Sequence, residues 1–255
     1  LNWENPEVRA AIYKMMNWWL DRGIAGFRMD VISLISKFPE YEDGPVYPGS
    51  EFGDGFGKVC NGPRFYEFLQ EMHREVFAGR EGTITVGECA GFTHEVARVV
   101  TDPNQKMLDM GFHFDHVGVD SQNGKFNRIP FELPKLKAIL DGWQAALNDV
   151  GWNSLYWCNH DQPRALSRFG DDQNYRVESA KALGTTLHMQ RGTPYIYQGE
   201  EFGMTNFPFT DISQFRDLET LNHYREVVAN GGDTAAALSG YAFFGRDNAR
   251  TPVQW

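Results

Sequence analysis

Short apolar and β-branched runs alternate with longer amphipathic stretches along this 255-residue chain, and this order limits its fold more than any other feature. Strands are predicted over residues 26–31, 83–86, 111–119, 154–158 and 194–197. Helices are predicted over residues 6–22, 64–77, 95–100, 134–150, 179–190 and 213–229. Since neighbouring parallel strands need a long return connection, usually a helix, this order predicts an α/β fold with a parallel sheet.

Two architectures satisfy this alternation, a (β/α)8 barrel and a doubly wound open sheet. The chain lacks the glycine-rich phosphate loop that the dinucleotide-binding open sheets carry, which favours the barrel. In such a barrel the active site lies at the carboxyl ends of the strands. The residues at these ends are therefore the first candidates for chemistry.

Acidic residues end or follow three of the predicted strands. Asp30 closes Gly-Phe-Arg-Met-Asp, Glu88 closes Val-Gly-Glu, and Asp161 lies in Asn-His-Asp-Gln-Pro-Arg. If the strands lie side by side in a barrel, the three carboxyl groups meet at one mouth. Retaining cleavage of a glycosidic bond needs one carboxylate to attack the sugar and one carboxylic acid to protonate the leaving oxygen. The spacing therefore predicts glycoside chemistry.

Composition excludes several other functions. A net charge of −10 argues against nucleic acid and against anionic membrane surfaces as partners. No apolar run approaches the roughly 18 residues of a membrane span. Three widely spaced cysteines form neither a disulfide framework nor a metal-binding pair, which favours a reducing compartment such as the cytoplasm. The opening Leu-Asn-Trp-Glu-Asn-Pro is typical of the middle of a longer protein.

Four longer segments carry a resemblance to a known family. They are Gly-Ile-Ala-Gly-Phe-Arg-Met-Asp-Val-Ile (23–32), Thr-Val-Gly-Glu (85–88), Asn-His-Asp-Gln-Pro-Arg (159–164) and the run from Arg-Gly-Thr-Pro to Glu-Phe-Gly-Met (191–204). The tail Arg-Asp-Asn-Ala-Arg-Thr-Pro-Val-Gln-Trp (246–255) agrees as well. Together they resemble glycoside hydrolase family thirteen, the alpha-amylase family, and most of all its oligo-1,6-glucosidase and alpha-glucosidase branch.

The resemblance implies that residues 1–255 are a partial catalytic domain, strands four to eight of a (β/α)8 TIM barrel. Strands one to three, the domain inserted after strand three and the C-terminal β-domain would then be absent. Five strands cannot close an eight-stranded barrel, so the missing barrel half of the parent chain is the expected partner. No cofactor is expected on this segment, and a structural calcium ion is expected only in the absent N-terminal part.

The resemblance also gives the three acids separate roles. Asp30 matches the nucleophile that forms a covalent glucosyl-enzyme, and Arg28 beside it is expected to keep it ionised. Glu88 matches the general acid/base, and Asp161 matches the third carboxylate, which binds ring hydroxyls. Each has a simpler interpretation: an Arg-Asp salt bridge on one strand face, a strand-end cap, and a polar turn.

Three further residues are predicted to contact substrate. His160 is expected to hydrogen-bond the sugar held by Asp161, while Arg246 either grips that sugar or makes a surface salt bridge. Val31, directly after the nucleophile, resembles the α-1,6-specific members of the branch; Ala or Thr there resembles maltases. No metal site is expected, because His113 and His116 lack a third ligand at metal spacing.

The sequence therefore predicts retaining hydrolysis of terminal α-glucosidic bonds in short oligosaccharides, with α-1,6 linkages preferred. Trehalose-6-phosphate hydrolase is a close alternative, since it also carries Val at this position. A sucrose isomerase or other transglucosidase is a further alternative, although the Arg-Leu-Asp-Arg-Asp type of loop is not found. A non-catalytic amylase-like scaffold belongs to another class, and it would usually have lost the acids. The segment alone is expected to be structurally incomplete and inactive. The Trp18–Trp19 pair is interpreted as core packing, and Glu200–Glu201 as a structural turn.

Overall fold

The computed structural model describes residues 1–40, 42–47 and 52–253. The chain forms two compact units. The first unit comprises Leu1–Phe114 and Gly142–Ser154, and the second comprises Asp115–Asp141 and Leu155–Trp255. Among the described residues, no helix is long and apolar enough to cross a membrane.

Helices and a parallel sheet make up the first unit. Its helices are α1 (Pro6–Leu20), α2 (Phe56–Val59), α3 (Phe65–Met72), continued by a π-helix (His73–Phe77), and α4 (His94–Val100). Its strands are β1 (Gly26–Met29), β2 (Ile84–Glu88) and β3 (Met110–Phe112). The Asn5 side chain accepts the Glu7 N–H and Pro6 follows it, which are the signals that start α1.

The sheet of the first unit has the order β1-β2-β3, with both pairs parallel. Met29 pairs with Gly87, so Asp30 and Glu88 both lie where neighbouring strands end. Gly26 opens β1 at φ +148°, where a Cβ atom would lie 1.9 Å from the Ile84 carbonyl oxygen. A glycine is therefore required where the two strands begin to pair.

The core of the first unit forms on the apolar faces of α1 and α3. Phe68 and Leu69 are 0 % exposed, and Tyr13 and Met16 of α1 are also buried. Trp18 and Trp19 are 46 % and 44 % exposed, so their interpretation as core packing is wrong. Tyr13 and Met16 point to the core, whereas the two tryptophans stack on each other edge to face at 4.6 Å.

The second unit is mainly helical. Its helices are α6 (Ala165–Phe169), α7 (Arg176–His188), α8 (Leu218–Ala229) and α9 (Thr234–Phe244), and α5 (Leu133–Ala146) contributes its first residues. A short strand β4 (Ser154–Leu155) pairs with β5 (Thr193–Pro194), and the Tyr195 N–H donates to the Leu155 carbonyl at 2.7 Å. Buried Trp157, Leu136 and Leu187 pack beside this pair.

A buried ion pair lies within the second unit. The Arg168 and Asp120 side chains are 2 % and 1 % exposed, and Arg168 Nε lies 3.0 Å from Asp120 Oδ2. Arg168 also donates to the Val117 carbonyl and to Gln162 Oε1 at 3.1 Å. Every charge-bearing atom of this guanidinium thus has a partner, as burial of a charge requires.

Three predicted strands are much shorter in the structure. Strand β3 (Met110–Phe112) covers only residues 111–112 of the predicted 111–119, and a 3-10 turn follows at Asp115–Gly118. Strand β4 covers only Ser154–Leu155 of 154–158, and β5 (Thr193–Pro194) includes only Pro194 of 194–197. Helices α6 and α9 were not predicted from periodicity. Residues 39–62 are rich in Gly, Pro and acids and lack a clear period, which predicts a loop; the structure has α2 within them, and residues 41 and 48–51 lie outside the described residues.

Candidate functional site

One guanidinium joins the first two predicted carboxylates. Arg28 Nη1 lies 2.5 Å from Asp30 Oδ1, and Arg28 Nη2 lies 3.0 Å from Glu88 Oε2. Arg28 lies in β1 and Asp30 directly follows the strand. Because the two residues are two positions apart, their side chains project to the same side of the chain. Glu88 comes from the neighbouring strand β2. The first unit thus brings Asp30 and Glu88 together, as the sequence predicted.

The two carboxyl groups have different surroundings. The Asp30 side chain is 77 % exposed, whereas that of Glu88 is 15 % exposed. An exposed carboxylate is accessible to the carbon atom of an incoming substrate. A shielded carboxyl group with fixed hydrogen-bond partners is suited to directed proton transfer. The two carboxyl groups therefore differ in exposure, and the separate roles assigned to them from the sequence stay predictions.

Val31 makes a backbone contact with the acid. Its φ and ψ are 39° and 42°, in the left-handed region that β-branched residues rarely adopt. Its N–H donates to Glu88 Oε2 at 3.0 Å. The Val31 side chain remains 39 % exposed beside Asp30. Strained residues cluster at functional sites, and this backbone conformation could not be predicted from the residue type.

Cys89, which directly follows Glu88, has a poorly reactive thiol. Cys89 is 0 % exposed, and burial together with the Glu88 charge raises the pKa of its thiol well above the usual range. The small thiolate fraction that remains makes Cys89 a poor nucleophile. Burial and the charge of Glu200 raise the pKa of Cys158 in the second unit in the same way.

Asp161 lies in the second unit, among arginine side chains. Arg250 Nη2 is 2.8 Å from Asp161 Oδ1, and Arg246 Nη1 is 3.2 Å from the same oxygen. His160 Nε2 lies 3.3 Å from Asp161 Oδ2. His160, Asp161 and Arg246 were all predicted and are brought together. That Asp161 forms one site with Asp30 and Glu88 stays a prediction.

Arg246 also binds acids other than Asp161. It contacts Asp217 at 3.4 Å and Glu219 at 3.1 Å. Burial alone would lower the pKa of the Arg246 guanidinium, but these three carboxylates raise it. Arg246 is thus the centre of an ion-pair network, as the salt-bridge interpretation predicts. Its contact with Asp161 also brings it next to the carboxylate that is predicted to hold the sugar.

Several residues around Asp161 and Arg246 were not predicted from the sequence. Arg250 donates to the His160 carbonyl at 3.1 Å as well as to Asp161. Asp247 accepts the Arg216 and Asp217 N–H groups at 2.8 and 3.3 Å and so fixes the loop that carries Asp217. Arg250 and Asp247 lie in the 246–255 tail motif, which was the available signal; residues 254–255 of that motif lie outside the described residues.

The remaining candidates have structural surroundings. His113 stacks on Trp143 at 4.1 Å, and His116 packs edge to face on Tyr156. Within the described ranges, no group of three or more His, Cys, Asp or Glu side chains is placed to hold a metal ion. Glu200 accepts the Tyr197 N–H at 3.0 Å and the Cys158 S–H at 3.5 Å, and burial raises the pKa of its carboxyl group.

Comparison with known proteins identifies relatives that match along the whole chain. The chain is 54 % identical over 256 residues to an oligo-1,6-glucosidase of Halalkalibacterium halodurans, covering 100 % of this chain and 46 % of that protein. It is 51 % identical over 260 residues to a trehalose-6-phosphate hydrolase of Bacillus subtilis, with 100 % and 45 % covered. The chain therefore spans about half the length of the curated relatives it matches.

Solved structures agree over the whole chain. A trehalose-6-phosphate hydrolase of Bacillus licheniformis matches with a TM-score of 0.89 and 49 % identity, covering 100 % of this chain and 45 % of that one. An isomaltulose synthase of Erwinia rhapontici matches with a TM-score of 0.91 and 35 % identity, with the same coverage. These are alpha-amylase-family TIM-barrel enzymes, so the predicted α/β fold class is confirmed.

The family model described as the alpha-amylase catalytic domain matches residues 1–255. The resemblance predicted from the motifs is therefore confirmed. On its match along the full chain and its high identity to several relatives, the chain belongs to the alpha-amylase family.

Proposed function

We propose that this chain is part of the catalytic domain of a retaining glucosidase that hydrolyses terminal α-glucosidic bonds of short oligosaccharides, preferring α-1,6 linkages. The observation that carries the proposal is the single Arg28 guanidinium shared by Asp30 and Glu88 at the ends of adjacent parallel strands. Close carboxyl groups belong to the retaining mechanism, whose two groups lie about 5–5.5 Å apart.

The proposed reaction has two steps. Asp30 attacks the anomeric carbon while Glu88 gives its proton to the leaving oxygen, which leaves a covalent glucosyl ester on Asp30. Glu88, now a carboxylate, takes a proton from water, and that water displaces Asp30 with retention of configuration. Asp161 and His160 hold the ring hydroxyls, and Arg28 balances the negative charge of the carboxyl pair.

In the complete protein we place this segment as strands four to eight of the barrel, with the rest of the barrel supplied by the parent chain. The α-1,6 preference rests on Val31 and on the names of the relatives, several of which are oligo-1,6-glucosidases. Trehalose-6-phosphate hydrolase is the second candidate, because relatives with that name are also about half identical to the chain. Location in the cytoplasm stays a prediction.

The test uses the purified parent protein with isomaltose, maltose, trehalose 6-phosphate and sucrose as substrates. We expect the highest kcat/KM on isomaltose, and proton NMR should show α-glucose as the first product. Highest activity on trehalose 6-phosphate would establish the second candidate, and β-glucose as first product would exclude the retaining mechanism.

A matched pair of variants tests the role of Asp30. Asp30→Asn should lower activity at least about 10³-fold, because it removes the nucleophile. Asp21→Asn is the control, since Asp21 is also an exposed carboxylate paired with an arginine of the first unit, at 2.7 Å from Arg80. Equal activities of the two variants would exclude Asp30 as nucleophile.

A further inference from the structure

A buried serine connects the segments that follow the two carboxyl groups. Ser33 lies three residues after Asp30, in the 3-10 turn Ile32–Leu34, and is 0 % exposed. Its hydroxyl donates to the Ala90 carbonyl at 2.8 Å, and Ala90 lies two residues after Glu88. One side-chain hydrogen bond therefore joins the end of strand β1 to the end of strand β2.

The same short loop receives two other side-chain donors. Cys60 Sγ lies 3.1 Å from the Ala90 carbonyl oxygen, and Asn61 Nδ2 donates to the Gly91 carbonyl at 2.9 Å. The Asn61 N–H in turn donates to the Ser33 carbonyl at 2.9 Å. Ser33 thus contacts both the loop after Glu88 and Asn61, which itself donates to that loop.

We propose that Ser33 is a positioning residue for proton transfer by Glu88. This inference rests on the proposed function, because it assigns Ser33 to the acid of that same site. Ser33 acts through the main chain: its bond fixes Ala90, and through Ala90 the end of the strand that carries Glu88. A shift of about 1 Å in a reacting group can lower a rate about 100-fold, so a bond that holds the acid segment affects the rate without touching substrate.

A purely structural role for Ser33 predicts a different outcome, and a second serine provides the comparison. Ser36 is also 0 % exposed and lies three residues further along. Its hydroxyl oxygen accepts the Arg64 N–H at 2.9 Å, at the start of α3 and away from the loop after Glu88. Replacing either serine by alanine removes a part-buried side-chain hydrogen bond, but only the Ser33 bond reaches the segment that follows Glu88.

The experiment compares two substrates that share the glucosyl group and differ in leaving group. Cleavage of isomaltose requires protonation of the leaving oxygen. Cleavage of 4-nitrophenyl α-glucoside releases a stable phenolate and therefore requires little general acid catalysis. In the parent protein, Ser33→Ala should lower kcat/KM for isomaltose about 10–100-fold, since general acid catalysis contributes about 10²–10⁴-fold. The loss for 4-nitrophenyl α-glucoside should stay below about 3-fold, and Ser36→Ala should lower both values by one common factor.

The ratio of the two kcat/KM values does not depend on the fraction of folded enzyme, because the same molecules cleave both substrates. Equal losses for both substrates in Ser33→Ala would overturn the inference and leave the proposed function intact. A parent protein inactive on both substrates would overturn both. If Ser33→Ala yields no folded protein, Ser33→Cys keeps a weaker donor and should shift the ratio in the same direction by about 3–10-fold; an unchanged ratio in that variant also overturns the inference.

Discussion

Asp120→Asn is expected to destabilise the protein by about 3–5 kcal/mol, because it leaves the Arg168 charge buried without its counter-ion. Asp120 and Arg168 are 1 % and 2 % exposed, so water cannot replace the lost carboxylate. Asp120 receives Arg168 Nε on both oxygens, at 3.1 and 3.0 Å. An asparagine offers one oxygen and turns an N–H₂ group towards the guanidinium, which places donors against donors.

Removing both charges should cost less than removing one. In the double variant Asp120→Leu with Arg168→Met, no charge remains buried, but the Val117 carbonyl and Gln162 lose the donors that Arg168 gave them. Unsatisfied groups of this kind cost about 1–3 kcal/mol. The double variant should therefore be the more stable of the two, because Val117 and Gln162 are only partly buried and can regain water, whereas the Arg168 charge cannot.

Equilibrium urea unfolding of the purified parent and variants measures these differences. Tryptophan fluorescence and far-ultraviolet circular dichroism should give coincident transitions, which licenses the comparison of free energies. A loss below about 1 kcal/mol for Asp120→Asn would refute the argument that this pair is desolvated. A double variant less stable than the single one would refute the argument that the unpaired charge dominates.

Three further outcomes are expected. Val31→Ala and Val31→Thr should shift relative kcat/KM from isomaltose towards maltose by about 10–200-fold, as expected for a methyl-scale change in a pocket. Unchanged kcat/KM ratios would place the linkage preference elsewhere, for example in residues 203–210. Arg28→Lys should lower kcat/KM about 10–100-fold, because one ammonium cannot bind two carboxylates as a planar guanidinium does. The control Arg22→Lys should keep parental activity. Equal effects of the two substitutions would refute the role of Arg28 in binding both Asp30 and Glu88. Burial raises the pKa of Glu200 above its ordinary 4.5. Its protonated form is therefore favoured by folding, and its contribution is present below pH 4.5 and lost as pH rises through the folded pKa. The Tm advantage of Glu200→Gln over the parent should accordingly grow above pH 4.5 and then level off; an advantage that shrinks with rising pH would contradict the sign.

Much of the first unit could be predicted because local signals agree there. Asn5 and Pro6 mark the start of α1. The two-residue alternation that begins in β1 and continues to the next residue places Arg28 and Asp30 on one side. Strand lengths were less predictable. Residues 113–119 were predicted as strand although they contain His113, Asp115 and His116. In the structure His113 stacks on Trp143 and a 3-10 turn follows at Asp115–Gly118, so β3 ends at Phe112.

The contacts that refine the candidate site could not be predicted, because they depend on tertiary structure. The Arg250 contact with Asp161 spans 89 residues, and the Ser33 contact with Ala90 spans 57. The left-handed backbone of Val31 is opposed by the preference of a β-branched residue, so local propensity predicts the wrong conformation at the position nearest the acid.

That backbone bend has a consequence for how such a protein can evolve. The group that Val31 offers to Glu88 is its main-chain N–H, which every residue except proline possesses. Exchanging the side chain at position 31 therefore alters the surface presented beside Asp30 while the acid keeps this donor. If Val31 sets substrate preference as proposed, that preference depends on its side chain, while Glu88 is held by its main-chain N–H. Substitutions at position 31 could then change the sugar that is preferred without removing this hydrogen bond to the proposed acid.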